Sequence, residues 1–151
     1  MQLFLSTYKN KVDKKLRVSV PAQFRSVLSK STFNGVIIYK SIVNNCLEGC
    51  SMEKIENTME KINNLDPFSN EKDIFMTAIL GNSHQAAFDT EGRIVLPHEL
   101  VEDLKISDLA VFIGKGDTFE IWNSNEFDQY IKNVRQIANE NREKLKNLSK
   151  A

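Results

Sequence analysis

The sequence predicts an α+β, mostly β protein built from two copies of one unit, and three observations lead to this fold class. Residues 12–21 (VDKKLRVSVP) recur as residues 88–97 (FDTEGRIVLP) at an offset of 76 residues. Each copy is followed by the same order of elements: a short helix, a two-strand hairpin and a longer amphipathic helix. The two units account for nearly the whole chain. Because chance rarely repeats an order of elements, we expect a duplicated fold.

The two copies are expected to share one hydrophobic core. The chain has 151 residues, and half of that length would bury too small a fraction of its surface to be stable alone. A hydrophobic fraction of 41% and a charged fraction of 26% are ordinary for a globular protein. We therefore predict a first half over residues 1–80, which includes two connecting helices, and a second half over residues 81–151.

The first repeat is expected to begin with a strand over residues 3–12 and a polar turn over residues 13–16. The chain then extends to Pro21, whose missing N–H suits the start of a helix. This predicts a short helix over residues 22–28. The hairpin that follows has its two strands over residues 36–40 and 45–50.

Two helices are expected to connect the repeats. Ser51 can cap the first of them, in which four apolar residues recur at helical spacing: Met52, Ile55, Met59 and Ile62. The second covers about residues 70–80 and ends at Gly81, a residue type that is common at helix C-termini. We interpret both as helices that pack on the core.

The second repeat has the same plan and ends in a long helix. Its short helix and its hairpin are expected over residues 98–104 and 109–122. Asn123 followed three residues later by Glu126 predicts a capping box at the start of the last helix. That helix would run for about 24 residues, more than its own half can cover. We expect its end either to fray or to meet a neighbouring subunit.

The charges of the chain are segregated, although the net charge is zero. Residues 1–40 contain eight cations against Asp13 alone, a net charge of +7. The other 111 residues carry 12 cations and 19 anions, a net charge of −7. The first repeat is therefore expected to present a basic surface that attracts a polyanion.

No catalytic constellation is visible, and we expect neither an enzyme nor a cofactor. His84 and His98 are isolated from partner motifs, and the chain has no Gly-rich phosphate-binding loop. Cys46 and Cys50 lack the second ligand pair that a zinc site needs, so we interpret both as reduced, packed thiols and expect no metal.

The sequence indicates a cytoplasmic protein with neither a membrane nor a small-molecule substrate as partner. No apolar run approaches the roughly 20 residues that a membrane-spanning helix needs. The first six residues, MQLFLS, contain no basic leader of the kind found in secretory signals.

The residues suited to binding are concentrated in the turn of the first repeat, at Lys14, Lys15 and Arg17. Three cations on a tight loop can enter a DNA groove together, where an Arg grips guanine bidentately and a Lys holds a base or a phosphate. Other cations nearby are expected to neutralise the DNA backbone: Lys9, Lys11 and Arg25. The alternative is a solvated turn in which Arg17 only pairs with Asp13.

A structural role is assigned to Asp13 and Asp89, because a short carboxylate can accept turn N–H groups and orient the Arg four residues later. Gly92 belongs to the same set, since glycine adopts positive φ at little cost. Leu16, at the matching position, does not readily adopt that conformation, so we expect a different type of turn in the first repeat.

Arg93 corresponds to Arg17, but its surroundings differ. The second turn contains Thr90 and Glu91 where the first contains two lysines. We therefore expect Arg93 to bind DNA more weakly than Arg17, or to serve as a brace for its turn.

The pattern Asp-x-x-x-Arg-x-x-x-Pro in two copies, extended in the first copy to Arg25, resembles the MraZ family of bacterial regulators. The resemblance covers residues 1–148, with Leu16 in place of the Gly of the family's usual Lys-Gly-Arg. It implies that each half is of the AbrB-like swapped-hairpin (double-split) type. The strands of the halves would then interleave into one barrel with helices at its periphery.

The same resemblance implies a function. It indicates sequence-specific binding of double-stranded DNA at the promoter of the division and cell-wall gene cluster, in the nucleoid. It also implies a ring-shaped homo-oligomer, which would set several basic loops against spaced DNA repeats. A rival hypothesis is a protein-interaction module whose basic face docks an acidic partner. Salt separates the two, because phosphate binding weakens steeply as salt rises.

Overall fold

The computed structural model describes residues 2–148. The elements of the first half are β1 (Thr7–Lys11), β2 (Arg17–Ser19), α1 (Ala22–Leu28), β3 (Gly35–Lys40), β4 (Leu47–Cys50), α2 (Met52–Asn63), α3 (Asn70–Phe75) and a π-helical segment (Met76–Gly81). Those of the second half are β5 (His84–Ala87), β6 (Arg93–Val95), α4 (His98–Leu104), β7 (Leu109–Gly114), β8 (Phe119–Asn123), α5 (Ser124–Glu140) and α6 (Arg142–Leu148).

The protein has an α+β fold whose main layer is a six-stranded antiparallel sheet in the order β1-β7-β8-β4-β3-β5. The two halves alternate in it, because the β7–β8 hairpin of the second half lies between β1 and β4 of the first. The edge strand β5 of the second half pairs with β3 of the first. The remaining strands, β2 and β6, form a separate two-stranded ribbon.

Over residues 2–148 the sheet does not close into the barrel that was expected, and β1 and β5 are its two edges. The reason lies in the ribbon: β2 and β6 direct their ladder hydrogen bonds to each other. β1 and β2 form no ladder with each other: they are joined by the turn, by an isolated bridge from Val12 to Val18, and by a hydrogen bond from the Asn10 side-chain amide to the carbonyl of Ser19 (2.7 Å).

The largest buried cluster lies between the sheet and the ribbon, with α1 and α4, and takes residues from both halves. The ribbon contributes Val18 and Ile94, which form its central pair and are almost fully buried. Aromatic rings from distant parts of the chain meet at the centre of the cluster: Phe4, Phe24, Phe112 and Phe119. The buried inner face of the ribbon therefore anchors it to the core.

The opposite face of the sheet is covered by helices, as expected from the alternation of side chains along each strand. The cluster under α2 and the π-helical segment includes Ile37, Tyr39, Cys50, Ile55, Ile62 and Ile79. The cluster under α5 includes Cys46, Val111, Trp122 and Phe127. Both thiols are free and buried, and none of the helices in residues 2–148 is long and apolar enough to cross a bilayer.

The first strand is shorter than predicted. Residues 3–12 were expected to be extended, but β1 begins at Thr7 because Ser6 has a φ of 78° and interrupts the strand. Phe4 still reaches the core, since its backbone forms an isolated bridge with Gly116.

Two of the predicted helices are interrupted. The second connecting helix changes from α to π geometry after Phe75, and Asn82 and Ser83 bind carbonyls of its last turn. The final helix breaks at Asn141, whose side-chain amide donates to the carbonyl of Ile137 over 2.8 Å. This local hydrogen bond competes with the helical ladder. Beyond the break, α6 has no buried residue.

Candidate nucleic-acid interface

The two repeated turns lie at opposite ends of the β2–β6 ribbon. We call residues 13–17 loop 1 and residues 89–93 loop 2. In the antiparallel register Arg17 pairs with Val95, and Ser19 pairs with Arg93. The buried pair Val18 and Ile94 points into the core, so these four neighbours share the outer face of the ribbon. The ribbon thus presents an Arg from each repeat on one surface.

Loop 1 is organised around the Asp13 carboxylate. Its Oδ1 accepts hydrogen bonds from the backbone N–H groups of Lys15 (3.0 Å) and Arg17 (2.8 Å). Its Oδ2 accepts one from Nε of Arg17 at 2.7 Å. These contacts, chiefly the backbone N–H of Arg17, lower the pKa of Asp13. The carboxylate is therefore ionised at neutral pH and fixes the stem of the guanidinium.

Loop 2 repeats this geometry. Asp89 accepts from the backbone N–H groups of Glu91 and Arg93, each at 2.9 Å, and from Nε of Arg93 at 2.8 Å. The backbone N–H of Arg93 is the main cause of a lowered pKa at Asp89. Each loop thus has the same Asp–Arg clamp.

The expectation of a different turn at Leu16 is wrong, since Leu16 has a φ of 63° and Gly92 a φ of 75°. A left-handed leucine costs roughly 1–2 kcal/mol. The packing of the partly buried Leu16 side chain against the largest core cluster offsets this cost.

Gly92 lies against Arg25, which corresponds by the repeat offset to Val101. A Cβ on Gly92 would collide with a terminal nitrogen of Arg25. The Arg25 side chain therefore covers the turn of loop 2.

The loops differ in the freedom of their arginines. Nε of Arg17 is held by Asp13, but its two terminal nitrogens have no partner within residues 2–148. In loop 2 the Nη2 of Arg93 is bound by Glu91 at 3.0 Å. The hydrogen bond to Asp89 is the main cause of a raised pKa at Arg93. Arg17 can thus offer the part of the guanidinium that grips a base, whereas Arg93 is engaged on two sides.

The lysines of loop 1 are free as well. Lys14 and Lys15 are exposed and form no ion pair in the described part of the chain. Loop 1 therefore carries three cations and one anion, for a net charge of +2. Loop 2 carries one cation and two anions, for a net charge of −1. Loop 1 is the end of the ribbon that favours an anionic ligand.

The other predicted cations are distributed around this surface. Lys11 ends β1 two residues before loop 1 and is exposed. Lys9 points away toward α5, where it pairs with Asp128 at 3.6 Å. Arg25, expected beside the first turn, lies against loop 2. The structure thus brings Lys14, Lys15 and Arg17 together on one loop, with Lys11 beside it.

The sequence did not indicate that Glu91 is the partner of Arg93, or that Val95 and Ser19 are exposed on the outer face of the ribbon. The alternation of side chains around the inward-facing Val18 and Ile94 is the signal that could have placed Val95 and Ser19 there. No group of three or more His, Cys, Asp or Glu side chains in residues 2–148 is arranged to hold a metal ion.

Comparison with known proteins agrees with the repeated motif. A family model described as "MraZ protein, putative antitoxin-like" matches residues 79–148. Over 149 residues the chain is 49% identical to the transcriptional regulator MraZ of Rickettsia akari (strain Hartford), with 99% of this chain and 100% of that protein covered.

Proteins of the same name from two other species are equally similar. The chain is 50% identical over 147 residues to that of Rickettsia rickettsii (strain Sheila Smith), covering 97% of this chain and 99% of the relative. It is also 50% identical over 148 residues to that of Rickettsia typhi (strain ATCC VR-144 / Wilmington), covering 98% and 99%. Identity at this level over nearly the full length of both chains confirms the resemblance, and the chain belongs to the MraZ family.

Proposed function

We propose that the protein is a transcription regulator that binds double-stranded DNA sequence-specifically, with loop 1 as its reading element. The name "transcriptional regulator" carried by its relatives supports the regulatory role. The observation that carries the proposal is the unequal pairing of the two arginines. Among the described residues, the terminal nitrogens of Arg17 and the side chains of Lys14 and Lys15 have no partner, whereas Arg93 is paired with two carboxylates.

The roles of the cations follow from their geometry. Arg17 is anchored through Nε, so its terminal nitrogens can donate to O6 and N7 of one guanine. Lys14 and Lys15 hold phosphate or a neighbouring base, and Lys11 neutralises the backbone beside them. Arg25 lies against loop 2, so it neutralises backbone at the other end of the ribbon. Lys9 contributes less, because Asp128 already balances its charge. Asp13 and Asp89 hold the loops in shape, and Arg93 serves mainly as a brace.

We extend the proposal to the DNA target and the assembly, on family membership. The protein acts at the promoter of the division and cell-wall gene cluster, in the nucleoid, as a ring-shaped homo-oligomer. Three exposed apolar side chains on α5 and α6 support contact between copies: Ile137, Leu145 and Leu148. In a ring, several copies of loop 1 would bind spaced sites together, so each copy needs only a few base contacts.

The test compares the wild type with Arg17→Ala and Arg93→Ala on DNA from upstream of its own gene and on unrelated DNA. Losing a bidentate guanine contact costs about 1–3 kcal/mol, so Arg17→Ala is expected to reduce promoter affinity about 5- to 150-fold. Its affinity for unrelated DNA should fall much less. Arg93→Ala is expected to change promoter affinity less than Arg17→Ala does.

Salt dependence completes the test. Lys14→Ala should weaken binding to both DNAs alike and reduce the slope of log K against log salt by about 0.9. Lys61→Ala, an exposed lysine on α2, is the matched control and should leave the slope unchanged. A wild type that shows no promoter preference at either of two salt concentrations would refute the proposal. The basic face would then have to be tested on an acidic protein partner.

A further inference from the structure

Val95 is an exposed apolar side chain whose neighbours on the outer face of the ribbon are polar. It is 57% exposed, although a β-branched residue in a strand usually packs against a neighbour. The residue before it, Ile94, fills the core, so Val95 necessarily points outward. Its counterpart in the first repeat is Ser19, a polar residue that suits such a position. The core therefore does not account for a valine at this place.

The register puts Val95 beside Arg17. The two are directly opposite in the β2–β6 pair, where Cβ atoms are about 4.5–5.5 Å apart. The backbone hydrogen bond from Leu96 to the carbonyl of Leu16 (2.8 Å) holds this end of the ribbon against loop 1. Val95, a residue of the second repeat, thus lies next to Arg17, whose terminal nitrogens have no partner within residues 2–148.

We propose that Val95 is a specificity-determining residue that packs on the methyl group of a thymine next to the guanine read by Arg17. The inference rests on the proposed DNA-binding function and adds a base to its site. A two-stranded ribbon fits the major groove, where thymine alone among the four bases presents a methyl group. Val95 would lose its exposure to water on that contact, while Arg17 donates to the adjacent base.

Removal of the thymine methyl tests the contact without altering the protein. Duplexes in which deoxyuridine replaces one thymine at a time are titrated by fluorescence anisotropy. One position is expected to weaken the wild type about fourfold, the effect of one buried methyl group. For Val95→Ser, which copies Ser19, deoxyuridine at that position should have no effect. Val95→Thr keeps a methyl group and should retain the discrimination.

A second substitution locates the contact relative to Arg17. Replacing a guanine by 7-deazaguanine removes its N7 acceptor and should weaken the wild type but not Arg17→Ala at one position. The sensitive thymine is expected next to that guanine. The matched control is Val43→Ser, because Val43 is an exposed valine on the β3–β4 loop, away from the ribbon. It should keep the wild-type response to deoxyuridine.

The outcomes separate this inference from the proposed function. If the wild type prefers the promoter and Arg17→Ala loses that preference, but no deoxyuridine position depends on Val95, then the role of Val95 is wrong and loop 1 remains the reader. A changed elution volume of Val95→Ser in gel filtration would also overturn it, because the valine would then belong to a contact between copies. If the wild type has no promoter preference, both proposals fall.

Discussion

Neutralising Glu91 is expected to turn loop 2 into a better DNA ligand. Glu91 binds Nη2 of Arg93 at 3.0 Å, and both groups are at the surface, where such a pair is worth about 0–1 kcal/mol. Arg93 must give up that pair before it can reach a phosphate. A carboxylate about 6 Å from a phosphate in water also repels it by roughly 0.7 kcal/mol. Glu91→Gln should therefore gain about 1 kcal/mol, or about fivefold in affinity.

The assay is fluorescence anisotropy of a promoter duplex over a range of salt. If Arg93 then neutralises one phosphate, the slope of log K against log salt should become steeper by about 0.9. Glu60→Gln removes the same charge from an exposed site on α2 and serves as the matched control. In an Arg93→Ala background, Glu91→Gln should not alter the slope. Unchanged affinity, or a steeper slope without Arg93, would refute the reasoning.

Five further substitutions can be measured by urea unfolding. Gly92→Ala should cost at least about 1–2 kcal/mol, because Gly92 has a positive φ and the new Cβ would displace the Arg25 side chain. Leu16→Gly should change stability by less than about 1 kcal/mol, since relieved strain offsets lost packing. Glu120→Ala should cost about 1–3 kcal/mol, because it leaves the indole N–H of the buried Trp122 without its acceptor. Asp128→Ala, which removes only a surface pair, should cost under about 1 kcal/mol. Hydrogen bonds from Ser31 and Thr32 lower the pKa of Glu53 to about 2. Ionised Glu53 therefore adds fully to the free energy of unfolding above its ordinary pKa of 4.5, and this stabilisation is lost as pH falls toward 2. Glu53→Gln should accordingly flatten the pH dependence of the urea midpoint in that window, and an unchanged profile would contradict this.

The elements with local signals were predictable from the sequence. α1 and α4 have the predicted bounds because Pro21 and Pro97 directly precede them. The cap of α2 was equally readable, and Oγ of Ser51 accepts the N–H of Lys54 at 3.1 Å. The pairing of β2 with β6 was not predictable. Strands of three residues show too little alternation to reveal a partner so distant in the chain.

At the candidate site, the features that could not be predicted from the sequence are those that depend on tertiary contacts. The Asp13–Arg17 and Asp89–Arg93 clamps were predictable, because a contact between residues four positions apart depends only on the local shape of the turn. Leu16 was misjudged, since backbone preference alone disfavours its φ and its packing against the core is not visible in the sequence. Arg25 was misplaced for the same reason: α1 of one repeat crosses to loop 2 of the other.

The alternation of the two halves in the sheet constrains how the chain can fold during synthesis. β1 has one neighbour in the sheet, β7, and their pairing joins Lys11 to Leu109. One edge of β4 likewise pairs with β8, a strand of the second half. While only the first half has left the ribosome, β1 has no strand of the sheet to pair with. Pairings over such long intervals close slowly. The nascent protein must therefore hold unpaired strand edges until the β7–β8 hairpin emerges, and during that interval a chaperone would protect it most.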